Sequence, residues 1–286
     1  MDQKIITLFD TYTHGGMSRR AFLDRLALMA GSAAAATALL PALENNYAFA
    51  AMVPEDDQRL TLTEGEIAPG IKGLLAIPKD AKGKLPAVLV IHENRGLNPH
   101  IKDVTRRMAL EGFVAFGADY LAPLGGTPTD EDKGKEMIGS LKPEDVLAYS
   151  QNALKALIAH PQGTGKAGAM GFCWGGGAVN NLAVADPALA AGVAYYGSQP
   201  KAEDVPKITA PLMLHYGALD ERINAGIPVF EAALKANSKA YELYIYEGAN
   251  HAFNNDTNAA RYNKETADLA WGRTVAFLKK HAAGAA

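Results

Sequence analysis

Lys166-Ala167-Gly168-Ala169-Met170-Gly171-Phe172-Cys173-Trp174-Gly175-Gly176-Gly177 is the stretch whose reading decides the fold of this chain. Residues 166–170 form a short apolar segment suited to a buried strand, and the small residues of 178–185 are compatible with a helix. Between them, Gly171-Phe172-Cys173-Trp174-Gly175 has the form G-x-nucleophile-x-G, a strand-to-helix turn that strains the backbone of its central residue. Glycines are needed two positions to either side, because a Cβ there would collide with the neighbouring strand or helix. Cys173 is the only cysteine in the chain. A lone buried cysteine is ordinarily an inert small apolar residue. The double-glycine frame and the strand–helix context instead mark Cys173 as a catalytic thiol.

Working outward from the turn, strand-like and helix-like segments alternate. Residues 58–63 and 71–77 read as an opening pair of strands. Residues 87–91, Ala-Val-Leu-Val-Ile, form a continuous apolar run, the pattern of a central strand covered on both faces. Helical spacing follows over 100–111, a strand over 113–117 and a helix over 143–159, with Pro143 placed for its first turn. Residues 121–141, rich in Gly, Pro, Asp and Lys, read as a mobile surface loop or cap. Strands at 192–196, 212–216 and 241–246, a helix at 227–236 and a last helix at 265–281 complete the pattern. Such alternation predicts one α/β domain, a doubly wound and mostly parallel sheet with helices on both faces. Its chemistry belongs at the carboxyl ends of the strands.

The N-terminus reads differently. Ser18-Arg19-Arg20-Ala21-Phe22-Leu23 is a twin-arginine pattern, followed by an alanine-rich run over 26–40 and by Ala48-Phe49-Ala50, a cleavage candidate. The apolar run is short for a transmembrane span, which needs about 20 residues. The expectation is a leader over 1–50, taken by the twin-arginine export machinery to the periplasm and set apart from the fold, with the enzyme domain over 51–286 and no stable membrane span in the mature form. An uncleaved N-terminal helix, packed on the domain or membrane-associated, is the alternative. The leader holds four basic and four acidic side chains, so residues 51–286 carry the whole net charge of −3. With no basic block, nucleic acid is an improbable partner. One cysteine forms no intrachain disulfide.

A thiol nucleophile needs a base, and the base an orienting carboxylate. Of seven histidines, His14 falls in the leader, His160 at a helix end, His215 inside a strand and His281 near the C-terminus. His100 begins a helix and His92 ends a strand. Only His251, in Glu247-Gly248-Ala249-Asn250-His251, follows a strand end downstream of a well-placed acid. That acid is Asp220, just past the strand at 212–216. Alone, Asp220 would pass for a turn residue or helix cap. The order Cys173, Asp220, His251, each past its own strand, is that of the α/β-hydrolase triad. The oxyanion hole falls to the backbone N–H groups of Trp174 and of Asn94, in the loop after the first central strand. No recognised metal-binding spacing is present, and no cofactor is called for.

Four stretches carry a family resemblance: Val90-Ile91-His92-Glu93-Asn94-Arg95-Gly96-Leu97-Asn98, Gly171–Gly176, Gly217–Asp220 and Asn250-His251-Ala252-Phe253. On these the chain resembles the dienelactone hydrolase family of α/β-hydrolases, most closely a branch with a twin-arginine leader. The resemblance implies an α/β-hydrolase fold and a carboxylic ester or lactone hydrolase working through an acyl-thioenzyme. It also implies a separate role for Glu93, beside which the thiol rests protonated until substrate moves the pair. Dienelactone-cleaving members hold the substrate carboxylate with two arginines, whose neighbourhoods here read Leu121-Ala122-Pro123-Leu124 and Phe253-Asn254-Asn255, without arginine. Arg95 and Arg222 are the substitutes within reach, each with a salt bridge as its plainer reading. The same triad would also serve an acyltransferase or peptidase, and the fold could carry a non-enzymatic thiol sensor. The small-molecule ester or lactone is the expected partner.

Overall fold

The computed structural model describes residues 1–47 and 52–283. In chain order its strands are β1 (Leu60–Ala68), β2 (Ile71–Pro78), β3 (Leu85–Ile91), β4 (Val114–Ala118), β5 (Gly163–Phe172), β6 (Gly192–Tyr195), β7 (Leu212–Gly217) and β8 (Tyr241–Tyr246). Helices α1 (Gln3–Thr13), α2 (Arg19–Ala30) and α3 (Ala33–Leu43) precede them. The others are α4 (Pro99–Leu110), α5 (Glu131–Ser140), α6 (Pro143–Ile158), α7 (Trp174–Ala185), α8 (Glu221–Asn224), α9 (Ile227–Ala236) and α10 (Lys264–Ala282). All eight strands join one sheet in the order β1-β2-β4-β3-β5-β6-β7-β8. The β1–β2 and β2–β4 pairs are antiparallel and every other pair is parallel, as an α/β-hydrolase fold requires.

The apolar run at 87–91 shows why the sheet is central. Side chains alternate across a strand. Ala87, Leu89 and Ile91 face a core shared with α6, α7 and α9, whereas Val88 and Val90 face one shared with α4 and α10. All five are fully buried. Burial of each larger aliphatic chain stabilises the fold by about 1.5–3 kcal/mol. A strand alternating polar and apolar residues could not occupy this position.

Residues 121–141 depart from the expected mobile loop. They contain a 3-10 turn at Ala122–Leu124 and the helix α5. Asp130 caps α5 by accepting from the N–H groups of Asp132 and Lys133, and Glu131 and Asp132 stand at its positive end. Ile138 is buried beneath it. The abundance of Gly and Lys hid a short helix held mainly by its cap.

Residues 1–47 are built into the packing. Ile5, Phe9 and Tyr12 of α1, Phe22 and Leu26 of α2, and Ala36 and Leu43 of α3 form an apolar cluster of their own. The Tyr12 and Phe22 rings stack at 4.7 Å. Each helix has a side-chain cap, from Asp2, Ser18 and Ser32. Polar contacts dock the cluster on the sheet domain. Asn46 N–H donates to the Thr257 carbonyl at 2.8 Å, Ala260 N–H to that of Ala42 at 3.1 Å, and the Asn258 amide to that of Leu43. Arg19, of the twin-arginine pair, bridges Glu44 and Asp132 at 3.1 and 3.3 Å. The cleavage candidate Ala48-Phe49-Ala50 lies outside the described residues. No single described helix is long and apolar enough to cross a membrane, and α2 and α3 meet at 112°.

Because Phe22 is buried at the centre of this cluster, Phe22→Ala should cost about 3–5 kcal/mol locally. Limited proteolysis should then cut within 1–47 far faster than in the wild type, while the far-UV spectrum of the sheet domain persists.

Candidate active site

Cys173 links β5 to α7 with φ 55° and ψ −113°, a left-handed conformation that side chains rarely adopt. Its N–H donates to the Tyr195 carbonyl at 2.9 Å, and its own carbonyl accepts from Gly177 N–H at 3.1 Å, so both sides of the turn are fixed. A Cβ on Gly171 would lie 2.2 Å from the Gly175 carbonyl oxygen, and one on Gly175 would lie 2.4 Å from that of Ile91. The glycine frame is therefore a packing requirement, as the sequence indicates.

Asp220 and His251 meet. Asp220 leaves β7 and caps α8 through Oδ1, which accepts from Ile223 N–H at 3.2 Å. Its Oδ2 lies 2.5 Å from His251 Nδ1. The cap and the partner of His251 are one residue, using different oxygens. Burial opposes ionisation of Asp220, but the His251 charge and hydrogen bond outweigh it and hold the carboxyl below its ordinary range. His251, in the loop after β8, packs against the Tyr196 ring at 4.9 Å. Its Nε2 is buried and has no hydrogen-bond partner among the described residues.

The atom in contact with the thiol comes from elsewhere. His14, set aside in sequence as part of the leader, caps the end of α1 and places Nε2 3.3 Å from Cys173 Sγ. Its Nδ1 is 2.7 Å from the Asp10 carbonyl oxygen and 3.3 Å from the Asp10 carboxylate. Burial opposes the charge on Asp10, yet His251, His14 and Arg261 together hold its carboxyl far below the ordinary range. For His14 burial favours the neutral ring, but the Cys173 charge and the bonds to Asp10 and Cys173 prevail and raise its pKa. The sequence signal was present: Asp10 and His14, four apart, share one helical face.

Glu93 is buried and accepts from the Asn255 amide at 2.9 Å, a partner the sequence did not single out. Arg95 does not pair with it but with Glu131 at 2.8 Å. Arg222 lies 3.5 Å from Asp10. Asn94 donates its side-chain amide to the Thr13 carbonyl at 2.8 Å, so the N-terminal segment covers the loop assigned to the oxyanion hole. Trp174 opens α7, where helix geometry leaves its N–H without an intrahelical acceptor. Its indole lies parallel to His92 at 5.4 Å and edge-on to Tyr120 at 5.3 Å. Burial holds the His92 pKa down, and its Nδ1 is bound to the Glu93 carbonyl at 2.6 Å. His92 is part of the wall.

One space adjoins the thiol and a second lies next to that one. The cleft among His14, Glu93, Asn94, Cys173, His251 and Arg261 has a volume of about 20 Å³, little more than one water occupies. A cavity of about 590 Å³ lies beside it, between α1 and the Asp220 loop, and shares His251 and Arg261 with the cleft. Its size is that of a small-molecule site. One donor atom each from His14, Cys173 and His251 lies within 4.8 Å of the others, a set whose chemistry also suits a thiophilic metal ion.

The dienelactone hydrolase family model matches residues 71–282, and a second, described as YqhI-like, matches residues 1–33. A Saccharolobus solfataricus protein named as a carboxymethylenebutenolidase is 34% identical over 248 residues, covering 73% of this chain and 94% of its own length. A Bradyrhizobium protein named as a 2-oxo-3-(5-oxofuran-2-ylidene)propanoate lactonase is 32% identical over 216 residues, covering 71% of this chain and 86% of its own. Among solved structures, a Klebsiella pneumoniae protein described as a dienelactone hydrolase superposes with a TM-score of 0.69 at 30% identity, over 77% of this chain and 99% of that one.

Both site aspartates titrate below their unfolded value of about 3.9. Their contribution to stability is therefore complete above that pH and is lost as pH falls towards the lower folded values. Urea denaturation should show stability declining steadily below about pH 4. Asp10→Asn should lower stability at neutral pH and flatten this decline.

Proposed function

The chain belongs to the dienelactone hydrolase family, and on that premise we propose that it cleaves its substrate through a Cys173–His251–Asp220 triad. Its relatives make it a carboxylic ester or lactone hydrolase. The observation that carries the thiol mechanism is a strained, glycine-framed Cys173 beside a buried His251 whose Nδ1 is held 2.5 Å from Asp220. Nδ1 carries the proton towards the carboxylate, so Nε2 is left with a lone pair. Thiolate attack on the acyl carbon gives a tetrahedral oxyanion, which the N–H groups of Trp174 and Asn94 stabilise. Collapse expels the alkoxide and leaves an acyl-thioenzyme, which water then hydrolyses with a histidine as base.

Glu93, fixed by Asn255 in the same cleft, lends its charge to the control of thiol ionisation. The cavity beside the cleft supports a small acyl substrate. Arg222 and Arg261 line it, each also facing Asp10, and are its cations for a substrate carboxylate; Arg95, expected from sequence, is engaged by Glu131 and does not line it. The narrow approach to Cys173 weighs against a peptide substrate. The twin-arginine pattern supports export to the periplasm, a route that would require docking of 1–47 after recognition, since Phe22 is buried and Arg19 is ion-paired. The N-terminus of periplasmic protein, read by mass spectrometry, tests that route; a protein confined to the cytoplasm rejects it.

Cys173→Ala should lower hydrolysis of activated esters by about a thousandfold or more while the fold persists. The decisive assay compares wild type and variant on esters and lactones with and without a carboxylate. Undiminished turnover by the variant would exclude the thiol mechanism.

A further inference from the structure

Two histidine–carboxylate pairs converge on one sulfur. His251 is oriented by Asp220 from the sheet domain, and His14 by Asp10 from the N-terminal helix α1. In both rings Nδ1 faces oxygen acceptors, so in both Nε2 is the basic nitrogen. They differ in what Nε2 meets. That of His14 is 3.3 Å from Cys173 Sγ, whereas that of His251 is buried without a hydrogen-bond partner among the described residues. The rings meet edge to face at 4.6 Å. A thiol has one proton to give, and the ring positioned to take it is His14.

We propose that the two histidines divide the reaction, His14 serving formation of the acyl-enzyme and His251 its hydrolysis. The proposal rests on Cys173 being the nucleophile and refines the proton transfers around it. In the first half, His14 Nε2 takes the Cys173 proton. The thiolate adds to the ester carbonyl, the carbon–oxygen bond breaks, and the departing alkoxide takes the proton back from His14. In the second half, His251 Nε2 takes a proton from water as its oxygen adds to the acyl carbon. The carbon–sulfur bond breaks, the acid departs, and the thiolate recovers the proton from His251. Each half returns its histidine to the starting state, so protons balance.

The geometry supports this order. Because His14 is the ring bonded to the thiol, His251 Nε2 is left unengaged in the resting enzyme and can turn to water in the second half. His251 also borders the cavity of about 590 Å³, from which water can approach after the alcohol leaves. His14 is thereby a catalytic residue supplied by a segment outside the sheet domain, and residues 1–47 become part of the catalytic apparatus.

The test is stopped-flow turnover of p-nitrophenyl acetate by full-length protein, with intact mass measured in parallel. His14→Gln keeps a hydrogen-bonding side chain beside sulfur but accepts no proton, so it would preserve a merely structural contact. His14→Ala opens a space that added imidazole can fill. The expected result is a p-nitrophenol burst slowed about a hundredfold or more in both His14 variants. Imidazole should restore it in His14→Ala. His251→Ala should release one equivalent of p-nitrophenol at close to the wild-type rate and then stall as an acetylated protein. A wild-type burst in His14→Gln, or loss of the burst in His251→Ala without acetylation, overturns the division and returns both steps to His251. Retained turnover in Cys173→Ala would instead remove the underlying thiol mechanism, an outcome separable from either.

Discussion

Everything at the site depends on one backbone conformation, the left-handed turn at Cys173. A non-glycine residue held in a sparsely populated region costs about 1–3 kcal/mol and persists only where its surroundings permit no alternative. Here the bond to Tyr195, the start of α7 and the near-contact of Gly171 with Gly175 over-determine the turn. That in turn depends on β5 lying between β3 and β6 in a parallel sheet, because Gly175 packs on the carbonyl that ends β3. The two fully buried cores exist to hold these strands in register. Stability of the sheet and placement of the sulfur are the same constraint.

Around that fixed atom the polar groups are arranged by charge compensation. Asp220 is buried and Asp10 partly so, and both are held ionised by the histidines and arginines they face. Asp10 reaches His14, Arg222 and Arg261, so one carboxylate ties the N-terminal helix to two elements of the sheet domain. Removing one partner from such a cluster leaves a buried charge uncompensated, which costs more than the lost bond itself. This explains how a three-helix segment with a small apolar cluster stays docked.

The sheet, its helices and the residues of the Asp220–His251 pair were legible in the sequence because each is written in a local pattern. The run at 87–91 can only be a strand covered twice, and the glycine frame leaves Cys173 one conformation. Asp220 and His251 were found by their place after strands, a rule of topology rather than of contact. The helix over 131–140 was missed because its stability comes from the Asp130 cap and from burial of Ile138, not from an amphipathic stripe. Asn255 and Arg261 carried no signal, since their importance lies in reaching Glu93 and Asp10 across long separations in sequence.

The N-terminus marks the boundary most sharply. The sequence by itself determined that residues 18–40 are basic at the start and apolar after it, a composition shared by an export leader and a docked helical cap. It also determined the strained turn at Cys173, because such a turn needs its glycines within two residues. Only the tertiary structure decided that Asp10 and His14 stand on the thiol. The contact joins residues 159 apart in the chain. No local periodicity encodes such a pairing; it arises when three buried aromatic rings and a shared aspartate bring α1 down over the carboxyl edge of the sheet.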